Sequence, residues 1–355
     1  MVTGLAIALV LLFAAGAARA DDRDVVAASI NQFIVPGYER LAEEAGLQSD
    51  RMTGLCAEPG EAALAAARVQ FSALVRAWSQ MEIIRFGPIV ADNRLERMFF
   101  WPDRRGIGLR QVQVIIAEEN PGALDAVTLR TKSVAVQGLG ALEFVLHGAG
   151  AETLAGADGA FRCAYGSTIA GAIETLAEGV AADWLAPDGI AARLVDPSPD
   201  LVDYRSEAEV WRELVGVFVH GTELVRDTRL NPFLGSGDDS EANPRLAPYW
   251  RSQLTLASLA ASMEAMRSLF VVSGLEEALT GDNRFAAGAF IFELDNFASA
   301  IVGIDPDLEA ALADQDMRVR LRYLVILTRS LQNIVVLQIA VALGVSAGFS
   351  ALDGD

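Results

Sequence analysis

Histidine and cysteine are almost missing from this chain of 355 residues, which has only His147, His220, Cys56 and Cys163. Neither histidine belongs to an HExxH pattern, so the usual helical zinc-protease motif is excluded. No Gly-x-Ser-x-Gly elbow is present, and spacing nominates no Ser–His–Asp set, which removes readable serine-protease machinery. A glycine-rich phosphate cradle is lacking as well. Basic residues are in deficit, 28 against 47 acidic ones, for a net charge of −19. Such a surface repels nucleic acid and anionic lipid and favours solubility and cationic partners. Strand signals are scarce too.

What remains is helical. Leu64, Ala67, Phe71, Leu74, Val75, Trp78 and Met81 form one stripe at steps of three and four within residues 61–86. Gly87-Pro88 is expected to stop that helix, because proline disfavours α geometry in the residue before it. Similar periodicity predicts helices over 124–147, 167–184, 207–226, 254–279, 285–302 and 319–343, separated by turn-rich segments such as 235–239 and 303–307. Long helices with short joints predict an all-α fold of bundles. The apolar run 334–351 contains Gln338 and follows an Arg-rich helix. It reads as a core helix buried all round rather than a second membrane span.

The first residues read as an export signal. Leu5 to Ala18 is almost wholly apolar, and Ala18-Arg19-Ala20 offers small-x-small cleavage before Asp21-Asp22-Arg23-Asp24. No basic residue precedes the apolar run, which is atypical. A membrane anchor is the alternative, but about 14 apolar residues span too little of a bilayer. Cleavage after Ala20 would deliver the chain to the periplasm, with no transmembrane helix left in it. In an exported protein the isolated pair Cys56 and Cys163 is most simply a disulfide. A metal or redox pair is the other reading, without a CxxC or nearby histidine to support it.

Residues 187–206 carry Pro187, Pro197 and Pro199 among Asp, Gly and Ser, and read as a linker. It would divide a bundle over 21–186 from one over 207–355. The halves echo each other: Phe71-x-x-Leu74-Val75-x-x-Trp78 reappears as Trp211-x-x-Leu214-Val215-x-x-Phe218. An internal duplication would place Trp78 and Phe218 in separate cores of two related lobes.

The landmarks together resemble the imelysin family. They are Ile34-Val35-Pro36-Gly37-Tyr38, Cys56, Trp78 with Arg85-Phe86-Gly87-Pro88, Phe100-Trp101-Pro102-Asp103, Gln137 to Glu143, Arg162-Cys163-Ala164-Tyr165, and Leu343 to Asp355. The resemblance implies a two-lobed helical fold, a periplasmic location, a link to iron acquisition, and the cysteine pairing above. It also implies a Gly-x-His-x-x-Glu signature whose His and Glu are metal ligands or catalytic groups. Here Gly138 and Glu143 match, but Gly140 stands at the histidine position. The carry-over reaches Glu143 and stops, so both metal binding and peptidase activity lose their support.

Three readings of function follow. One is a non-catalytic binding or accessory protein serving iron or another metal nutrient. The others are a metallopeptidase and a helical scaffold for an envelope partner. Glu143 lies on a stripe with Val136, Gly140 and His147. Gly138 and Gly140 each cost a helix roughly 1 kcal/mol relative to Ala, so another backbone or a ligand is expected to approach there. Glu143 is then either paired to an arginine in a packing notch or an anionic ligand group. Glu82 and Arg85 extend the Trp78 stripe and read most simply as a structural pair. The candidate pocket is lined by Trp78, Trp101, Glu82, Arg85 and Glu143. A zinc held by His147, Glu143 and another carboxylate is a remoter arrangement, and an oxygen-bound harder cation is chemically easier. His220 reads as a packing or capping residue.

Overall fold

The structure, a computed structural model, describes residues 22–103, 105–235, 241–279 and 281–345. The expected export signal at 1–20, residues 236–239 of the expected turn and residues 346–355 of the last landmark lie outside them. Helices account for nearly all the regular structure, and no strand occurs among the described residues.

The first helical run, Asp22–Ala28, passes through a π-helical turn, Ser29–Ile34, into α1 (Val35–Ala57). Next come α2 (Glu61–Met81), a short α3 (Arg94–Met98), α4 (Gly138–His147) and α5 (Ala160–Leu185). The second half supplies α6 (Glu207–Glu223), α7 (Thr255–Val272), α8 (Arg284–Ile301) and α9 (Gln315–Ile334). In the first half α1 packs on α2 and α5, with α4 against α5; in the second, α8 packs on α7 and α9. The expected disulfide is formed. Cys56 and Cys163, with Cα atoms 5.5 Å apart, tie the end of α1 to α5.

Several expected boundaries shift, each for a local reason. α2 ends at Met81 rather than Phe86, and Ile83, Ile84 and Phe86 are buried in the non-helical turn that follows. The expected helix over 124–147 is broken. Asp125 caps a short helix at Ala126–Thr131, Ser133 caps a 3-10 turn at Val134–Val136, and α4 begins only at Gly138. The run after α9 continues through a π turn, Val335–Ile339, to Ala342. It is not buried all round: Val335 and Ile339 face the core, while Leu337 and Val341 are 66% and 68% exposed. Thr255–Val272 and Gln315–Ala342 are both long and apolar enough to cross a bilayer by length and composition.

Trp78 and Phe218 do not lie in separate cores. The buried apolar residues form one continuous cluster through both halves, because α7 packs on α2 as well as on α8. Within it Phe218 meets Phe270 and Phe290 edge-on, at ring-centroid separations of 5.8 and 5.5 Å. Residues 187–206 include a helix, Ile190–Val195, whose Ile190 and Leu194 are buried.

Candidate functional site

Gly138 sets the entry to α4 and thereby the placement of Glu143. It holds φ +70, and a Cβ there would lie 2.1 Å from the carbonyl oxygen of Arg97 and 2.5 Å from that of Met98. Only glycine admits both the left-handed backbone and this close approach of α3. The expected approach of another backbone is therefore real at Gly138. It is not what keeps Gly140 small, since a Cβ at Gly140 would meet only Phe99, at 3.8 Å.

One turn on, Glu143 is 4% exposed. Its Oε1 accepts hydrogen bonds from the Ser252 backbone N–H (3.0 Å) and the Ser252 hydroxyl (2.9 Å). Its Oε2 lies 3.8 Å from Nη1 of Arg251. Burial raises the Glu143 carboxyl above its ordinary range, with Arg251 and the Ser252 bonds acting in the opposite direction. Arg251 is held in place by the faces of Trp250 (4.4 Å) and Phe144 (5.5 Å).

The segment that carries these partners is not helical. Tyr249 sits in it at φ 56, a left-handed conformation rare for a bulky residue. Its ring stacks on Phe99 at 4.6 Å, and Phe99 stacks in turn on Trp101 at 6.0 Å. The Tyr249 hydroxyl is buried and makes no hydrogen bond among the described residues, and burial holds its pKa well above the usual phenol value. Over the Phe99 ring, at 4.8 Å, lies the guanidinium of Arg229, from the π-helical segment Leu224–Leu230 that extends α6. Arg229 pairs with Glu82 in the interior, and its other terminal nitrogen, Nη1, has no partner among the described residues.

The expected pocket is therefore only half assembled. Trp101 and Glu143, with Gly140, Tyr249 and Arg251, line one small cavity of about 60 Å³. Trp78 is fully buried in the core. Glu82 is paired not with Arg85 but with Arg229, because α2 ends before the turn that would bring Arg85 alongside. Arg85 is half-buried; burial lowers its pKa and Glu96 opposes that. His147 points to Phe71 (ring centroids 5.7 Å apart) with its buried Nε2 unpartnered, and burial, with the Arg68 charge, lowers its pKa to about 4. His220 lies 3.3 Å from the carboxylate of Glu223 within its own helix, a side-chain pair.

Trp101 also borders a second, larger cleft of about 770 Å³, lined among others by Asp103, Asp227, Leu246, Arg322 and Arg329. The Trp101 indole donates to the carbonyl of Thr228 (3.2 Å), which fixes its ring between the two spaces. Asp103 is a capping residue, its carboxylate accepting from the N–H groups of Ile107 (2.9 Å) and Leu109 (3.0 Å).

The donor set around Glu143 does not fit a resident metal ion. Gly140 offers no ligand, Oε1 of Glu143 is hydrogen-bonded to Ser252 and its Oε2 lies against the Arg251 charge, and no three His, Cys, Asp or Glu groups gather among the described residues. Nor does a histidine bridge to Ser252, whose hydroxyl is shared between Glu143 and the Tyr249 carbonyl (3.1 Å). The arrangement can hold and orient a ligand by aromatic faces and fixed charges. Sequence reasoning missed Phe99, Arg229, Tyr249, Arg251 and Ser252. The available signal was the aromatic and basic run Tyr249-Trp250-Arg251 in a segment without helical periodicity.

The Imelysin family model matches residues 34–334, and the chain belongs to the imelysin family. Two solved structures share its fold. One is an imelysin-like protein from Psychrobacter arcticum 273-4, 20% identical, with a TM-score of 0.74 over 92% of this chain and 97% of that one. The other, from Parabacteroides distasonis ATCC 8503, is described as an iron-regulated protein A precursor; it is 14% identical, with a TM-score of 0.75 over 90% of this chain and 94% of that one. No curated protein matches the chain by sequence.

Proposed function

We propose that this imelysin-family protein is an exported, non-catalytic binding or accessory protein of the periplasm that serves the uptake of iron or another metal nutrient. The observation that carries the non-catalytic part is the state of Glu143. Its carboxylate is engaged by Ser252 and Arg251, and Gly140 stands where the family's histidine would be. A carboxylate satisfied in this way has little to offer a metal or a proton in transit. The cleft beside Trp101 is of a size suited to a small ligand, with an apolar wall and a few polar groups. Export is supported by the apolar run before Ala20 and by the disulfide, which persists in an oxidising compartment. The metal link rests on the iron-regulated description of the Parabacteroides neighbour.

The test is metal analysis of untagged protein purified without chelators, together with incubation of unfolded protein substrates with zinc, manganese or iron. The expected result is no cleavage above a denatured control, and no bound metal that is lost in Glu143→Gln. Cleavage that disappears in Glu143→Gln would overturn the reading in favour of a metallopeptidase. Gly140→His is the informative substitution, because a Cβ fits there and the family pattern is restored beside Glu143.

A further inference from the structure

A third cavity, of about 540 Å³, opens on the face of α5 away from the disulfide, and three arginines frame it: Arg94 and Arg97 from α3, and Arg130 from the last turn of Ala126–Thr131. Arg94 forms an ion pair with Asp183, at 2.6 Å. Arg97 donates from Nη2 to the backbone carbonyl of Arg130 (3.2 Å), and neither Arg97 nor Arg130 forms an ion pair among the described residues. The hydrogen bond holds the Arg97 head beside Arg130; burial and then the Arg130 charge lower the Arg97 pKa, and Asp92 acts in the opposite direction.

Two guanidinium groups side by side concentrate positive charge locally in a chain with 47 acidic residues against 28 basic ones. Capping the Arg130 carbonyl uses one donor of Arg97, and a guanidinium carries five. The remaining donors of two neighbouring guanidinium groups match the planar, bidentate geometry of carboxylate and phosphate oxygens. Val127, Ile173 and Leu176 line the same cavity and offer apolar contact to a carbon skeleton. Gly138 closes its inner side, so the cavity lies behind the entry of α4, apart from the space at Glu143.

We infer that the cavity framed by Arg94, Arg97 and Arg130 is a binding site for a small organic anion bearing carboxylate or phosphate groups. The site is independent of Glu143 and of the non-catalytic reading. Asp92 offsets part of the repulsion between Arg97 and Arg130, and an oxyanion seated between the two guanidinium groups would offset more of it.

Calorimetric titration of the whole protein with citrate and, separately, with inorganic phosphate at low ionic strength tests this. Saturable 1:1 binding of either is expected, and which one binds identifies the group recognised. Arg97→Gln with Arg130→Gln should weaken it by about tenfold or more, the loss of two charge-assisted hydrogen bonds. Arg76→Gln, a change at a surface ion pair with Glu264, should leave it unchanged. Arg130→Gln alone keeps the backbone carbonyl that Arg97 caps, so a loss of binding in this variant with an unaltered melting curve separates recognition from folding. Failure of both anions to bind, equal binding by the double variant, or equal weakening by Arg76→Gln would refute the site.

Discussion

Glu82, at the end of α2, and Arg229, in the π-helical extension of α6, form an ion pair inside the protein across 147 positions of sequence. Both side chains are nearly inaccessible, and the guanidinium lies over the Phe99 ring. The pair binds the two halves together beside the Trp101 cavity. Removing one partner leaves a buried charge uncompensated, which typically costs about 3–5 kcal/mol. Glu82→Leu and Arg229→Met singly should each lower the unfolding free energy by that order in urea. The double variant should recover most of it. Single variants as stable as the parent would show that the pair does not form.

The two glycines of the motif should behave oppositely. Gly138→Ala places a Cβ against the Arg97 and Met98 carbonyls at positive φ, and should cost about 2 kcal/mol or more. Gly140→Ala adds a methyl where there is space within a helix, and should be neutral or stabilising by up to about 1 kcal/mol. Thermal melts of the two variants side by side decide this.

The Cys56–Cys163 bond closes a loop of 107 residues. Chain-entropy reasoning gives such a loop about 4–5 kcal/mol of stabilisation. Mature protein alkylated without reduction should show no modified thiol by intact mass, and Cys56→Ala with Cys163→Ala should lower the denaturation midpoint substantially. Two alkylated cysteines in unreduced protein would contradict the bond.

His147 supplies a pH dependence of defined sign. Its pKa in the fold is about 4, below the ordinary histidine value, because burial and the Arg68 charge disfavour the imidazolium. The unfolded chain binds that proton first as pH falls. The stabilising contribution is therefore complete above about 6.5 and is lost progressively toward about 4, a span worth about 3 kcal/mol. His147→Gln should flatten the stability profile over that range relative to the parent, read from urea unfolding at pH 7 and pH 4.5. Parallel profiles would mean that His147 is solvated.

The sequence by itself determined the helical class, most of the long helices and the crosslink, but not every helix boundary. Apolar spacing at three and four is a local property, so the stripe from Leu64 to Met81 declares α2 without reference to anything else. Two cysteines in an export context allow one pairing within the chain. The landmarks from Ile34 to Cys163 pointed to the family, and Gly138 and Glu143 to the right part of the chain. Tertiary structure alone decided what those residues meet. Any of many arginines could have answered Glu82 or Glu143, and spacing favoured Arg85, four residues from the end of α2. Helix packing chose Arg229 and Arg251 instead, because α2 stops at Met81 and the left-handed turn at Tyr249 brings Arg251 and Ser252 onto α4. The Arg97 and Arg130 pair was equally hidden: its members are 33 positions apart, and proximity across a break in helical periodicity leaves no mark in the order of residues.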